Sequence, residues 1–506
     1  MTGKRDSEQS LSENGSLSRG PPTRRRVLLG LSAATGLSSD IVTTDNPGRI
    51  TKTQSKRPWS QYRKLTADDG DSGDFFSEVS LSADGETALI GAWGDEDPHG
   101  LDAGSAYVFE RSNGEWTQQQ KLTSDDGDQG DQFGRTLSLS SDGATALIGA
   151  AEKGGDPTGT FAGSAYIFTR SGGDWTQQQK LIPGDGNLAI HSGADVSLSS
   201  DGTTVLVGAD GTRNTNDDHN GAAYVFTRND SGWIQQQKLV PDEQASYDAF
   251  GSSLSLSGDG TAALIEAVTI KNQSQDLALD WSVYAFGRDS GEWAQQEKLA
   301  PDSRGFLEGP GMSEMSLSDD GTTALIGGLE RGDTDGNAAV TAYVVTRSGG
   351  EWTQQQKLTP DDGTPRNEFG FATALSGSGT TALIGVPNEE GPNGKRAGAA
   401  YVFRVSDGEW THRQKLSSDD GGPQDHFGWS VSLSGDGTTA VIGALGDDSA
   451  TTIGGSSGAA CVFTRPARST PSPTGGSGPG LGVVTGVSAV GVLGYLLRRR
   501  QSSVQE

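Results

Sequence analysis

One heptapeptide, Trp-Thr-Gln-Gln-Gln-Lys-Leu at 116–122, constrains this chain more than any other feature. It recurs with small changes at 175–181, 233–239, 293–299, 352–358 and 410–416, and a cousin, Trp-Ser-Gln-Tyr-Arg-Lys-Leu, occupies 59–65. Successive tryptophans lie 57, 59, 58, 60, 59 and 58 residues apart. Seven copies at one period mean a repeat architecture, in which each unit buries its apolar faces only against its neighbours.

Each period holds four segments of strand character, in the second unit Leu137 to Ser140, Thr145 to Ala150, Ala165 to Arg170 and the heptapeptide that follows. Asp-Gly, Gly-Gly and Pro/Gly/Asp clusters punctuate them as turns. No window carries a 3.6-residue apolar stripe, so each unit reads as a four-stranded antiparallel meander. The expected fold is all-β, a seven-bladed β-propeller over residues 59–465. With Leu-Ser-Leu-Ser innermost and the heptapeptide outermost, the chain begins on an orphan outer strand, Trp59 to Leu65. It ends on Ala460 to Phe463, which lacks an outer partner. The phase therefore predicts that the N-terminal strand closes the last blade and removes two sheet edges. Strand alternation predicts Trp116, Gln118, Gln120 and Leu122 on one face, with Thr117, Gln119 and Lys121 on the other. The tryptophans read as wedges between blades, with sugar stacking as the other reading.

Glycine is abundant, 75 of 506 residues, but it recurs at fixed points of the repeat and so marks turns rather than disorder. The whole chain carries 66 acidic and 39 basic residues, a net −27; from 59 to 465 the balance is 60 against 25, a net −35. Such a surface repels nucleic-acid phosphates and suits a protein kept soluble at high salt. The one cysteine, Cys461, stands where other units have Tyr107, Tyr166, Tyr224, Tyr284, Tyr343 or Tyr401. It can form no internal disulfide and is expected as a buried strand residue. The five histidines fall at non-equivalent places, as loop or surface residues.

The ends look like addresses. Residues 1–58 begin polar, and Thr23 to Leu29 (Thr-Arg-Arg-Arg-Val-Leu-Leu) with the apolar run to Leu37 resembles a twin-arginine export signal over about 23–40. A chance basic patch is the competing reading. Residues 466–480 form a Ser/Thr/Pro/Gly linker, 481–497 an uncharged and largely apolar segment, and 498–506 a tail that opens with three arginines. Seventeen residues are at the short limit for crossing a bilayer, and the arginines would stay cytoplasmic, leaving the repeats outside. Linker, Pro479-Gly480-Leu481, apolar span and basic end resemble the C-terminal sorting signal of archaeal surface proteins, with Leu481 where that signal has Phe. The expected location is the extracellular face of the cell membrane, with C-terminal anchoring.

Asp131-Gln132-Phe133-Gly134, Tyr247-Asp248-Ala249-Phe250-Gly251, Asn367-Glu368-Phe369-Gly370 and Asp425-His426-Phe427-Gly428 open their units with Phe-Gly and lead to Ala-Leu-Ile-Gly-Ala or close variants. This pattern resembles the FG-GAP repeat family, in its prokaryotic branch, whose units form propellers like those of integrin α-subunits. Units one, three and five depart, with Phe76-Ser77, Ser192-Gly193 and Pro310-Gly311, and are expected to be less regular. The resemblance also implies calcium in a loop between the first two strands. Here that loop, Ser82-Ala83-Asp84-Gly85 and its equivalents, keeps one carboxylate where calcium takes six to eight oxygens, and reads as a hairpin turn. The candidate Ca2+ ligands lie elsewhere, Asp68, Asp69, Asp71 and Asp74, echoed by Asp125, Asp126, Asp128 and Asp131. A solvated acidic loop is the alternative.

No Ser/His/Asp order, non-repeating acid pair or phosphate-binding glycine loop is found, so catalysis is not expected. The largest breaks in the repeat are loops between second and third strands: 93–103, 151–162, 210–220, 268–280, 329–339, 387–397 and 445–457. Strand alternation puts them on one face with the Asp-Asp-Gly loops, where recognition is usually housed. Candidate ligand-binding residues there are Trp93, Asp217 and Asp218, with Glu266 and Trp281 in unit four. The expected function is binding or adhesion to an extracellular protein or glycan by a monomeric propeller. The rivals are a glycan-active lyase or hydrolase and a structural envelope component.

Overall fold

The computed structural model describes residues 58–466, except 97, 151–162, 185–191, 212–220, 243–248, 274–275, 300–313, 331–338, 361–368, 392 and 449–454. The export signal and the 481–497 segment lie outside the described residues. Among the described residues no helix is long and apolar enough to cross a membrane.

Within the unit Arg57–Glu506 the described chain forms seven four-stranded antiparallel sheets. Blade one runs Phe76–Leu81, Thr87–Ala92, Ser105–Ser112 and Glu115–Leu122, each strand paired with the next. Blades two to six repeat it over 133–181, 192–239, 249–299, 315–358 and 372–416. The second strand, Thr-Ala-Leu-Ile-Gly-Ala, is buried along its whole length because neighbouring blades cover both of its faces. The turn before it is closed by Asp84, whose Oδ1 accepts hydrogen bonds from Ser82 Oγ (2.6 Å) and the Glu86 N–H (2.9 Å). This is the hairpin role expected of the Ser-x-Asp-Gly loops.

Blade seven draws on both ends of the repeat region. Its order is Ser60–Leu65, Ala459–Thr464, Thr439–Ala444, Phe427–Leu433, with Ser60 opposite Thr464 and Leu65 opposite Ala460. The closure expected from the phase of the repeat is present. Blade one is regular in spite of Ser77: Phe76 pairs with Ala92 and packs edge-on against Tyr107 and Phe109. The first strand is short in blade five, Met315–Leu317, and also in blade six, Ala372–Leu375, although that unit has Phe-Gly, whereas blade three keeps Ser192–Leu198.

The apolar core is divided into seven clusters, one at each seam between blades. Leu89, Val108 and Leu122 of blade one meet Phe133, Ile148, Tyr166 and Trp175 of blade two. Trp116 sits in the preceding seam with Leu65, Val441, Ala460 and Val462 of blade seven. The rim tryptophans are wedges, only 4% exposed at Trp116 and 6% at Trp233, with no face free for a sugar.

Trp116 and Leu122 thus serve opposite seams, which corrects the expected alternation. The cause is a β-bulge: Phe109 pairs with Gln118 and Val108 with Gln120, leaving Gln119 unopposed. Every rim strand has the same shift, including the N-terminal one at Tyr62. A bulge turns the strand about its axis. Residues before it therefore address the previous blade and residues after it the next.

Gln120 uses this geometry to join blades at the rim. Its Nε2 donates to the Trp175 carbonyl (2.8 Å) and its Oε1 accepts the Trp175 N–H (2.9 Å). Gln179 with Trp233, Gln237 with Trp293, Gln356 with Trp410 and Gln414 with Trp59 repeat the pair. Near the axis a second girdle runs through serines: Ser80 Oγ accepts the Leu139 N–H (3.0 Å), and Ser138, Ser197, Ser255, Ser316 and Ser432 do the same for the next blade. Ala374 interrupts it.

Blade four departs at the rim. Glu297 Oε2 accepts the Trp352 N–H (2.9 Å), but a carboxylate has no N–H to return to the Trp352 carbonyl. Glu297→Gln restores the second bond and is expected to stabilise the fold by about 1 kcal/mol. Denaturant unfolding of the two proteins side by side checks this; an unchanged or lowered midpoint would show that the second bond adds nothing.

Candidate functional site: the loop face and the axial channel

On the face where first strands begin, the loop between second and third strands of one blade holds the loop that leads into the next. Backbone N–H groups of Gly130, Gln132 and Phe133 donate to carbonyls of Leu101, Asp102 and Ala103 at 2.9, 3.0 and 2.9 Å. Phe133 anchors the junction against Tyr166 and Phe168. Gly134, at φ 89°, brings its carbonyl so close to Gly91 of blade one that a Cβ there would lie 1.9 Å from it. The residue before Phe-Gly is also left-handed, with φ 55°, 53° and 53° at Phe75, Gln132 and His426.

The acidic loops have structural duties. The N–H groups of Asp68 and Asp125 donate to Gln118 and Gln177 Oε1 (3.0 and 3.1 Å). Asp69 pairs with Lys121 (2.8 Å) and Asp126 with Lys180 (2.6 Å). Burial alone would raise the Asp69 carboxyl, but Lys121 and the Tyr107 hydroxyl outweigh it and hold it below the usual carboxylate range. Asp74 and Asp131 are buried and accept the Asp71 and Asp128 N–H groups (2.7 and 2.9 Å). Burial pushes Asp74 up to about 6. Among the described residues no three His, Cys, Asp or Glu side chains are grouped to hold a metal ion, so these eight carboxylates do not fit a calcium cage.

Lys121 has a further partner that the spacing did not single out, Asp95 (2.8 Å), which also accepts the Tyr107 hydroxyl (2.6 Å). Asp447 with Lys64 (2.5 Å) and Glu389 with Lys415 (2.6 Å) are its equivalents. The signal was the acid that follows Trp93-Gly94 and Leu445-Gly446. In blade seven Cys461 takes the tyrosine position, fully buried, its thiol pushed up to about 12 by that burial.

The ligand-binding candidates fare unequally. Trp93 is half-buried, stacked on Phe75 (4.4 Å between ring centroids, 16° between planes), with the Arg135 guanidinium 5.8 Å from its ring. Glu266 lies inside blade four, 1% exposed, and accepts the Ser252 hydroxyl (3.3 Å). Trp281 is opposite Val268 in an extended hairpin, Ala262–Gln273 with Asp276–Asp289, so the expected 268–280 loop is largely strand. Asp217 and Asp218 lie outside the described residues.

Three further carboxylates, missed in the sequence, face the axis. Glu78, Asp195 and Glu314 hold the same place in the first strands of blades one, three and five, three residues before Leu81, Leu198 and Leu317; other blades have Thr136, Ser253, Ala372 or Ser430 there. A charge at a place otherwise reserved for small residues was the available signal. Glu78 Oε1 accepts the Trp429 indole N–H (3.1 Å), Asp195 the Val196 and Leu254 N–H groups (2.8 Å each), and Glu314 the Thr373 N–H (3.3 Å). Burial pushes Glu78 and Asp195 up to about 7, with hydrogen bonds from Trp429 and Ser430, and then the Arg135 charge, opposing the rise at Glu78. Burial, then Glu78 and Asp195, push Glu314 well above the usual range.

A carboxyl raised in the folded state favours folding most when protonated. Its contribution is complete below the ordinary carboxylate range and is lost as pH rises toward 7. Glu78→Gln/Asp195→Asn/Glu314→Gln is therefore expected to melt above the wild type at pH 8, with the gap shrinking toward pH 5. Melting curves across that range test it, and a gap that widens on acidification would contradict it.

The FG-GAP repeat family profile matches residues 59–109, 116–168, 175–226, 233–278, 352–403 and 410–463. The stretch it leaves out, 279–351, contains the first three strands of blade five. No curated protein matches the sequence significantly. Similar solved structures include the Myceliophteria thermophila Cps50 (Swd1) β-propeller domain, at 11% identity over 79% of this chain and 99% of that chain, TM-score 0.48. Kuenenia stuttgartiensis hydrazine synthase matches at 13% identity over 78% and 96%, TM-score 0.47. Pseudomonas aeruginosa periplasmic gluconolactonase matches at 18% over 75% and 90%, TM-score 0.42. At these levels the likenesses bear on neither activity nor ligand.

Proposed function

We propose that this chain, which belongs to the FG-GAP repeat family, is exported, anchored to the membrane by 481–497, and displays its propeller outside the cell as a recognition module without chemistry of its own. The observation that carries this is where the repeat is broken. The rim strands and Ser-x-Asp-Gly turns are held nearly constant from blade to blade, whereas the loops between second and third strands differ in composition in every blade. Variation confined to one face of a rigid ring is the arrangement of a binding surface. Family membership supports a binding or structural module, and the net −35 of the repeats suits a solvated exterior.

The ends of the chain supply the test. Arg24→Lys/Arg25→Lys is expected to hold the protein inside the cell, and a stop after Gly480 to release the propeller into the medium. Fractionation of the native cells reads both. Export that survives the arginine exchange, or a truncated protein still bound to the envelope, would remove the corresponding part of the proposal.

A further inference from the structure

Aromatic side chains in this propeller are almost all seam residues, buried between blades. Among the residues whose side chains are described, those only half-buried are Phe75, Trp93, Phe371 and Trp429; one more, Tyr62, is exposed on the rim. All four half-buried ones break the repeat. Phe371 and Trp429 stand four residues before Leu375 and Leu433, where blades one, three and four have Ser77, Ala194 and Ser252; Trp93 stands where the seventh has Leu445. They also lie together. Phe371 and Trp429, on adjacent blades, approach to 5.0 Å between ring centroids. Phe75 and Trp93 stack at 4.4 Å. Glu78 joins the two pairs, through its hydrogen bond from Trp429 and its charge interaction with Arg135, which stands over Trp93.

We propose that this arc, across blades six, seven, one and two around Glu78, binds a neutral oligosaccharide. Its hexopyranose rings lie against the aromatic pairs and its hydroxyls meet Arg135 and Glu78. The assignment deepens the recognition reading and rests on it. A pyranose has C–H faces that pack on aromatic rings and an equatorial belt of hydroxyls that needs donors and acceptors at their edges. Apolar faces with a few placed polar groups meet both needs. Arg135 stands beside Glu78, and the −35 of the surrounding repeats disfavours a polyanionic glycan. A protein partner would call for a contiguous, fully desolvated anchor pocket. Here Trp93 instead has Arg135 close by, and Trp429 has Glu78.

The test uses the full-length chain on an immobilised array of neutral gluco-, manno- and galacto-configured oligosaccharides, with tryptophan fluorescence as a second readout. The wild type is expected to bind at least one member. Trp429→Ala and Trp93→Ala should each weaken that binding about tenfold or more, Trp429→Phe should keep most of it, and Tyr62→Ala should leave it unchanged. Retained melting temperatures separate lost contacts from lost folding. An array without binding, or binding indifferent to both alanine variants, overturns the assignment. Adhesion to native cell envelopes distinguishes the two levels: adhesion abolished by protease treatment of the envelope identifies a protein partner and overturns only the glycan assignment, while absence of adhesion overturns the recognition reading as well.

Discussion

The seam between neighbouring blades is the constraint on which this molecule depends. No blade has a core of its own; every buried cluster is shared by two sheets, so each sheet must present apolar surface on both faces. The rim strand meets that demand with a bulge. Without the unopposed residue at Gln119, Trp116 and Leu122 would point the same way and one seam would lose its outer side chain. With it, one heptapeptide supplies a wedge to the blade behind and an amide pair and a leucine to the blade ahead. The Gln-Trp pair costs little entropy for what it joins, since both of its hydrogen bonds go to a backbone already fixed in a strand.

The ring itself was legible because it depends on periodicity and phase. Seven tryptophans at one spacing set the number of blades, and a chain that opens on an outer strand and ends one short permits one economical closure. Side-chain direction within the heptapeptide was not legible, because alternation presumes an uninterrupted pleat and the bulge is made by pairing with a strand that the motif does not contain. The duties of the acids were hidden for a similar reason. Asp69 and Lys121 are 52 residues apart and meet only once the sheet has formed, so a local reading sees four carboxylates in a loop and infers a cation. Cys461 was legible, since its place in the repeat identified it as a tyrosine substitute before any burial was known.

The lysine clamps and the Gly91–Gly134 contact explain why the loop face can vary without loosening the ring. The junctions that open the first strands are secured from below by aromatic packing, and in blades one and seven also from the side by a lysine held between acids of two different loops. What lies beyond Asp95 in one blade, or Asp447 in another, is then free to differ in length. Tolerance of insertions follows from where the anchoring residues stop, not from flexibility of the scaffold.

An odd number of blades adds a constraint that an even ring would lack. Like charges placed around an axis are least costly when no two are neighbours. In seven positions such a pattern reaches three and then leaves two uncharged blades side by side. Glu78, Asp195 and Glu314 fill blades one, three and five, so the gap falls at blades six and seven, with Ala372 and Ser430 at the carboxylate position. Directly before them stand Phe371 and Trp429, two large aromatic side chains in contact across adjacent blades. The uncharged sector instead supplies donors to the carboxylates on either side of it, the Trp429 indole N–H to Glu78 and the Thr373 N–H to Glu314. The asymmetry around the axis thus follows an alternating pattern closed on a seven-membered circle.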